Sequence, residues 1–200
     1  YCIVADASGN FYVGDRINNA IRKITPAGVV TTLAGSGTMA SVDGTGTAAS
    51  FAEPLGIAIN SAGNLYVVDY ASQKIRKVTP AGVVTTLVTG YMAFGLAVDA
   101  SNVIYFTNYF QNRIYKFTEG SPTPVLVAGD TNSGNTDGNG AAARFNTPAG
   151  ISVDAAGNLY ITETGNHRIR KITPAGVVST IAGSTAGFSD GDATTARFDI

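Results

Sequence analysis

The chain has 200 residues, of which 44% are hydrophobic and only 14% are charged, and its formal net charge is −1. A chain of this length and hydrophobic content can bury a substantial core. Because the charges nearly cancel, the sequence lacks the basic surface that binds nucleic acid or an anionic membrane, so we expect neither partner. Cys2 is the single cysteine, which excludes an internal disulfide and a cysteine-based zinc site.

The longest uncharged run, residues 78–98, is interrupted by Pro80, Gly82, Gly90 and Gly95. A membrane-spanning helix is not punctuated in this way, so we predict two buried strands with their turns and no membrane insertion. The sequence starts without Met and without a signal peptide, so we expect a mature product or a piece of a longer polypeptide.

One motif is written four times along the chain. Residues 57–69, with the sequence IAINSAGNLYVVD, return at 151–163 as ISVDAAGNLYITE, and weaker copies begin at Ile3 and Leu96. Repeats at this spacing are typical of solenoids and propellers. A second block follows each copy, at residues 21–30, 75–84, 114–125 and 169–178.

The second copy predicts four short antiparallel strands. Gly63 can take a positive φ in the first turn at no steric cost, and Pro80 with Gly82 forms the last turn. Four such strands per repeat are the composition of a propeller blade. The predicted strands are 56–60, 65–69, 74–79 and 83–88.

Two connections between repeats carry an extra segment, at 41–51 and 135–145, and residues 189–198 repeat it. Each contains Asp-Gly, then a stretch of small residues, then Phe. This pattern predicts a turn, one helical turn and an aromatic plug into the next blade.

The pattern Gly-Ile-x-Val-Asp-x-x-Gly-Asn-Leu-Tyr-Val, followed by Asn-x-Arg-Ile-Arg-Lys-Ile, resembles the NHL repeat of bacterial β-propellers and extends over essentially the whole chain. The resemblance implies an all-β fold, a β-propeller of four NHL-type blades with four antiparallel strands each. That family is mostly six-bladed, so a closed ring, a half-ring and a polymer unit all stay open. We expect a single region with blades at about 1–35, 54–90, 93–129 and 148–183, joined by insertions at 36–53, 130–147 and 184–200.

The two ends of the chain are in register with each other. Phe198 aligns with Phe145 and Tyr1 aligns with Ala149, so the chain is one residue short of a seamless fourfold cycle. Open blade faces are apolar and need a partner. We therefore expect self-association or binding to other proteins.

Three repeats place an acid seven residues before an arginine, whereas the third has Asn108 and Tyr115 at these positions. The joint loss of acid and base favours structural ion pairs over catalytic acids, and an exposed pair of this kind contributes about 0–1 kcal/mol. His167, the sole histidine, lies where other repeats have Asn or Gln, and we predict a surface turn residue. The predicted pairs are Asp15–Arg22, Asp69–Arg76 and Glu163–Arg170.

Asp6, Asn60, Asp99 and Asp154 follow the innermost strands and could ring the axis as oxygen ligands for a cation. Each also precedes a tight reversal, which favours Asx-type turns over a metal site. The oxygen-rich segment 130–137 is a weaker candidate for a structural Ca²⁺ and lacks EF-hand spacing. We predict no catalytic residue and no cofactor.

The third repeat lacks the Asp-Gly segment and is rich in aromatic residues. The favoured interpretation is that the rings fill volume left by the missing Phe plug. The alternative is an exposed surface that contacts a partner. The candidate contact residues are Tyr91, Phe94, Tyr109, Phe110 and Tyr115.

We therefore predict a non-enzymatic NHL β-propeller that serves as a structural or protein-interaction module. Its resemblance to bacterial extracellular proteins implies a place outside the cell or at the cell surface. A sharper version is a self-assembling unit of an extracellular filament. The alternative function is a metal-dependent enzyme, lactonase-like or lyase-like, that uses the axial mouth. There is no Asn-x-Ser/Thr sequon, so any glycan would be O-linked.

Overall fold

The computed structural model describes residues 2–121 and 123–199. Within these ranges the secondary structure consists of 18 β-strands and two short 3-10 turns, with no α-helix. The chain divides into two compact units, residues 1–102 and 103–200. The predicted all-β fold, with four blades of four principal strands each, is confirmed.

The first blade is an antiparallel sheet in chain order. Its tight turns place the acid at the end of the second strand across from the start of the third, where Asp15 pairs with Ala20. The strands are β1 (Ile3–Ala5), β2 (Phe11–Asp15), β3 (Ala20–Ile24) and β4 (Val30–Ala34).

The second blade contains a fifth strand that precedes it in the chain. This strand, β5, spans Gly44–Thr45 and pairs with the outermost strand, where Gly44 lies opposite Val84. The insertion was predicted to form a turn, a helical turn and a plug; the edge strand is an addition. After β5 come the 3-10 turn Gly46–Ala48, β6 (Pro54–Ile59), β7 (Leu65–Asp69), β8 (Lys74–Val78) and β9 (Val83–Thr89), in the spatial order β5-β9-β8-β7-β6.

The third repeat contributes β10 (Ala93–Val98) to the first unit, and β11 (Ile104–Asn108), β12 (Arg113–Phe117) and β13 (Val125–Gly129) to the second. The fourth blade repeats the architecture of the second, with spatial order β14-β18-β17-β16-β15. Its elements are β14 (Gly138–Asn139), the 3-10 turn Gly140–Ala142, β15 (Pro148–Val153), β16 (Leu159–Glu163), β17 (Arg168–Ile172) and β18 (Val177–Ala182).

Each of the insertions at 41–51 and 135–145 ends in a phenylalanine that is buried between two blades. Phe51 is fully buried in a cluster that joins Tyr12 and Ile21 of the first blade to Leu65 of the second. Phe145 is equally buried among residues of the third and fourth repeats, such as Ile114. Burying a phenylalanine side chain contributes about 1.5–3 kcal/mol. The predicted helical turns and aromatic plugs are therefore confirmed at both insertions.

Candidate functional site

A charged cluster lies beneath the outer edge of the second blade. The guanidinium of Arg76 is fully buried and contacts two carboxylates, Asp69 at 2.9 Å and Asp43 at 2.6 Å. The Asp43 carboxylate also accepts hydrogen bonds from the backbone N–H and the hydroxyl of Thr86. The ring of Phe51 lies 5.3 Å from the guanidinium carbon, close enough for a cation–π contact. The insertion thus supplies both a second acid and an aromatic floor.

The fourth blade repeats this cluster with Glu163 in the place of Asp69. Arg170 is fully buried and contacts Glu163 at 2.8 Å and Asp137 at 2.8 Å. Thr180 donates its backbone N–H and its hydroxyl to Asp137, and the ring of Phe145 lies 5.0 Å from the guanidinium carbon. The same chemistry in two insertions indicates a built joint, in which the Asp and the Phe of the insertion clamp one arginine.

Burial and hydrogen bonding act in opposite directions on these acids. Burial alone would raise the pKa of Asp43, but the hydrogen bonds from Thr86 and the contact with Arg76 hold it below its ordinary value. Asp137 has a lowered pKa for the equivalent reasons, with Thr180 and Arg170 outweighing burial. Burial dominates at Glu163 and raises its pKa, although Arg170 opposes that effect.

The sequence pairs do not all have the exposed character that was expected. Two of the three are wholly buried, at Arg76 and Arg170, so the small contribution of an exposed pair does not apply to them. Breaking a buried pair by removing one partner costs about 3–5 kcal/mol. Sequence reasoning also missed Asp43 and Asp137. Each lies eight residues before a plug phenylalanine, and that shared spacing was the available signal.

The first blade holds an incomplete version of the cluster. Arg22 lies 3.7 Å from Asp15, and both side chains are roughly one third exposed, at 33% and 27%. Across the described residues, Asp15 is the single carboxylate paired with Arg22. In the third repeat Asn108 is buried and donates to Gln111, and Tyr115 stacks on Phe106 with ring centroids 5.4 Å apart. That repeat replaces the ion pair with an uncharged stack.

The four candidate axial oxygens are engaged in their own turns. Asp6 accepts backbone N–H groups from Ser8 and Asn10 at 2.9 Å, and the Tyr12 hydroxyl at 3.0 Å. The side-chain hydrogen bond from Asn10 is the main reason that the pKa of Asp6 is lowered. The other three positions accept backbone N–H groups from two residues further on, which describes Asx turns at Asn60, Asp99 and Asp154.

The segment 130–137 has its oxygen atoms engaged at both ends, with Asp137 on Arg170 and Asp130 in a local turn. Asp130 accepts the backbone N–H of Thr131 at 2.6 Å and the side-chain amide of Asn132 at 3.0 Å. These hydrogen bonds, that from Asn132 first, lower the pKa of Asp130. In the part of the chain that the structure describes, no group of three or more His, Cys, Asp or Glu residues is arranged to hold a metal ion.

His167 occupies a left-handed turn with φ of +53°. Asn19, Gln73 and Asn112 adopt the same conformation at the equivalent turns of the other repeats. Asn and His enter this region more readily than most residues with side chains. The Nδ1 atom of His167 lies 3.7 Å from the carboxylate of Asp199. The left-handed backbone of the turn therefore accounts for the histidine at this position, as predicted.

The aromatic residues of the third repeat divide into buried and exposed sets. Tyr115 is buried in a stack with Phe106, so its place among the candidate contact residues is corrected to the core. Phe110 is 57% exposed and meets the half-buried Tyr109 edge to face, with centroids 5.1 Å apart. In the first unit, Tyr91 and Phe94 are half-buried, and Phe94 packs on Tyr70. Phe110 is therefore the most open of the five.

A larger apolar surface lies on the first blade and was not among the predicted site residues. Ile3 is 59% exposed, Phe11 43% and Val30 50%. Their equivalents in the second blade, Ile57, Leu65 and Val84, are at most 4% exposed, because the first blade and the Phe51 plug cover them. We call the residues Ile3, Phe11, Val13, Ile24 and Val30 the open face.

These blades, each an antiparallel sheet of hairpin-joined strands, define the chain as a β-propeller protein of the repeat type. The NHL repeat family model matches residues 51–78 and 145–172. Both segments run from a plug phenylalanine to the end of the third principal strand of a blade. The resemblance drawn from the sequence is therefore confirmed for the second and fourth repeats, which are NHL repeats.

Solved structures share the fold at low sequence identity, which shows the fold alone. An auxiliary nutrient binding protein from Bacteroides thetaiotaomicron is 22% identical with a TM-score of 0.78, and the match covers 98% of this chain and 51% of that one. A streptogramin B lyase is 19% identical with a TM-score of 0.68, covering 90% and 53%. A chain of a nidogen/laminin complex is 16% identical with a TM-score of 0.64, covering 89% and 62%.

The chain spans about half the length of the first two of these structures. None of the curated proteins compared with it matches in sequence. Among the described residues there is no helix with the length and apolar character needed to cross a membrane.

Proposed function

We propose that this chain is a protein-interaction module of the NHL propeller type, without catalytic activity of its own, that associates with itself outside the cell. The observation that carries the proposal is the open face. Ile3, Phe11 and Val30 are exposed in the first blade although their equivalents in the second blade are buried, and soluble proteins rarely leave a contiguous apolar patch uncovered without a partner. A filament subunit is the extended form of the same proposal.

The charged groups support a structural role. Arg76 and Arg170 are buried between acids and over aromatic rings, and the acids contact Thr side chains or backbone N–H groups. Catalytic acids and bases need to reach a substrate and to have pKa values suited to proton transfer. The two arginine clusters contact the Asp and the Phe of the insertions. These contacts support a role in joining neighbouring blades. Location outside the cell rests on the resemblance to bacterial extracellular proteins.

The test is the native mass by light scattering over a range of concentrations, with negative-stain images of the same sample. We expect a mass above the 20.5 kDa of a single chain. Phe11→Ser on the open face should lower the mass, whereas Phe110→Ser in the third repeat should leave it unchanged. A single chain at every concentration would contradict the proposal. Loss of association in the Phe110 variant alone would move the contact to the third repeat.

The alternative, a metal-dependent lactonase-like or lyase-like enzyme, has one observation in its favour. Asp6 and Asn60 line the same surface depression, and carboxylate and amide oxygens are ligands for hard cations. The Asx turns already use these oxygens, which is why we place this function second. Metal analysis of protein purified without chelator separates the two: a stoichiometric divalent ion, lost in Asp6→Ala, would favour the enzyme.

A further inference from the structure

The chain contains three copies of one joint-forming segment, and the residues that the structure describes form two completed joints. The segments 43–51, 137–145 and 190–198 each begin with Asp-Gly and end with Phe, and we call them donors. The first two donors are seated on the second and fourth blades. The first blade has the residues of an acceptor, and the donor 190–198 has the residues that would fill it.

The seated donors define what a completed joint requires. The Asp reaches a buried arginine and a threonine on the outermost strand, and the next two residues pair antiparallel with that strand. The Phe covers the apolar face and underlies the arginine. The fourth blade has the same contacts, including the pairing of Gly138 with Val178.

The donor 190–198 shares the hydrogen bonds that close its hairpin with a seated copy. Ser189 and Arg197 form an antiparallel bridge, as Val42 and Ser50 do in the first insertion. The Gly187 N–H donates to the carbonyl of Phe198 at 3.1 Å, matching the 3.2 Å hydrogen bond from Ala40 to Phe51. The hairpin is therefore formed before it meets an acceptor, which lowers the entropy that docking would cost.

The acid of this donor is exposed to solvent, and its phenylalanine is less buried than in the seated copies. Asp190, the equivalent of Asp43 and Asp137, is exposed. Phe198 is half-buried, whereas Phe51 and Phe145 are fully buried.

The first blade shows the matching vacancies. Arg22, the equivalent of Arg76, has one carboxylate partner at 3.7 Å among the described residues, where its equivalents have two within 3.0 Å. Thr32 and Val30 on β4 are exposed, at the positions that contact the donor in the other blades. The acceptor offers a partly exposed guanidinium and an apolar face, and the donor brings a carboxylate and a phenyl ring.

We propose that the donor 190–198 of one copy docks on the first blade of a second copy, head to tail. The Asp190 carboxylate binds Arg22 and Thr32, Gly191 pairs with Val30, and Phe198 covers the open face. A fifth strand is added to β4, so that all three joints acquire the same form. This inference rests on the proposed self-association and specifies its partner surfaces.

The experiment exchanges the charges of the central contact in the full chain. Asp190→Arg and Arg22→Asp each place like charges at the joint. Each variant alone should therefore self-associate with a dissociation constant at least tenfold larger than that of the wild type, as measured by sedimentation equilibrium. An equimolar mixture should recover a dimer, because one copy keeps an intact acceptor and the other an intact donor. Asp130→Arg makes the same change of charge at a carboxylate whose hydrogen bonds are with Thr131 and Asn132, so it is the matched control and should associate like the wild type.

The outcomes separate this inference from the function beneath it. If the wild type associates but both variants keep its dissociation constant, the joint is wrong while self-association stands. If the wild type stays a single chain, self-association itself fails. If that single chain loses thermal stability in Asp190→Arg, the donor seats within its own chain and the second copy is excluded. Recovery in the mixture supports the docking when each variant, at a dilution where the wild type is a single chain, still unfolds in one cooperative thermal transition.

Discussion

At the scale of single residues, the two buried arginines should be the most sensitive charged positions in the chain. Arg76→Met leaves the buried Asp69 carboxylate without its cationic partner, so we expect the free energy of unfolding to fall by about 3–5 kcal/mol. Arg22→Met is the matched control, because its pair is partly exposed and should contribute about 0–1 kcal/mol. Urea unfolding of both variants measures the difference. Equal losses would mean that burial does not make the Arg76 ion pair more important for stability than the Arg22 ion pair.

The insertion acids make stability depend on pH in a defined direction. Because the pKa of Asp43 is lower in the folded protein than its ordinary value of 3.8, the unfolded chain binds a proton more readily. Stability from this group is therefore present above about pH 4 and is lost as pH falls through the folded pKa. Asp43→Asn should flatten that part of the curve of unfolding free energy against pH.

Glu163 contributes with the opposite sign. Burial raises its folded pKa above the ordinary value of 4.5, so the folded protein holds this proton more tightly than the unfolded chain. Its effect is to lower stability as pH rises from about 4.5 through the folded pKa. Glu163→Gln should remove that decline while keeping a hydrogen-bond acceptor for Arg170, and thermal melts between pH 4 and pH 7 would show it. A steeper decline in the variant would contradict this sign.

At the scale of elements, the insertion is the feature that joins one blade to the next. Phe145→Ala removes a fully buried ring between two repeats and should cost about 3–5 kcal/mol. Phe198→Ala changes the same residue in the unseated copy, where the ring is half-buried, and should cost less than half as much. Urea denaturation of the two variants tests this. Similar costs would show that the ring contributes through its own segment and not through the joint.

The strands were predictable because the repeat supplies its own internal comparison. Strands β7 and β8 were predicted to within one residue, since the Gly63 turn and the Pro80 turn mark their ends. The edge strand Gly44–Thr45 was not, because glycine is depleted in strands and two residues cannot show an alternating pattern. Its existence depends on a partner strand about 40 residues further along the chain. A contact between residues so far apart in the chain can be identified only from the structure.

The same limit explains which site residues were found. Asp69 and Arg76 face each other across one hairpin, so their spacing in the sequence reveals the pair. Asp43 reaches Arg76 from a different connection, and no local period links them. The exposure of Phe11 is also invisible locally, because its equivalents Leu65 and Leu159 are buried by neighbouring blades and not by their own sequence.

At the scale of the whole molecule, association through the open face should make thermal stability depend on protein concentration. Binding between folded copies stabilises the folded state by mass action, by about 2.7 kcal/mol when the partner is at 100 times its dissociation constant. We expect the wild-type melting temperature to rise as concentration increases across the dissociation constant. Phe11→Ser should melt at the same temperature throughout the range, because the apolar contact that rewards association is removed. A wild-type melting temperature that does not change with concentration would contradict association through the open face. It would favour the alternative function, at the depression lined by Asp6.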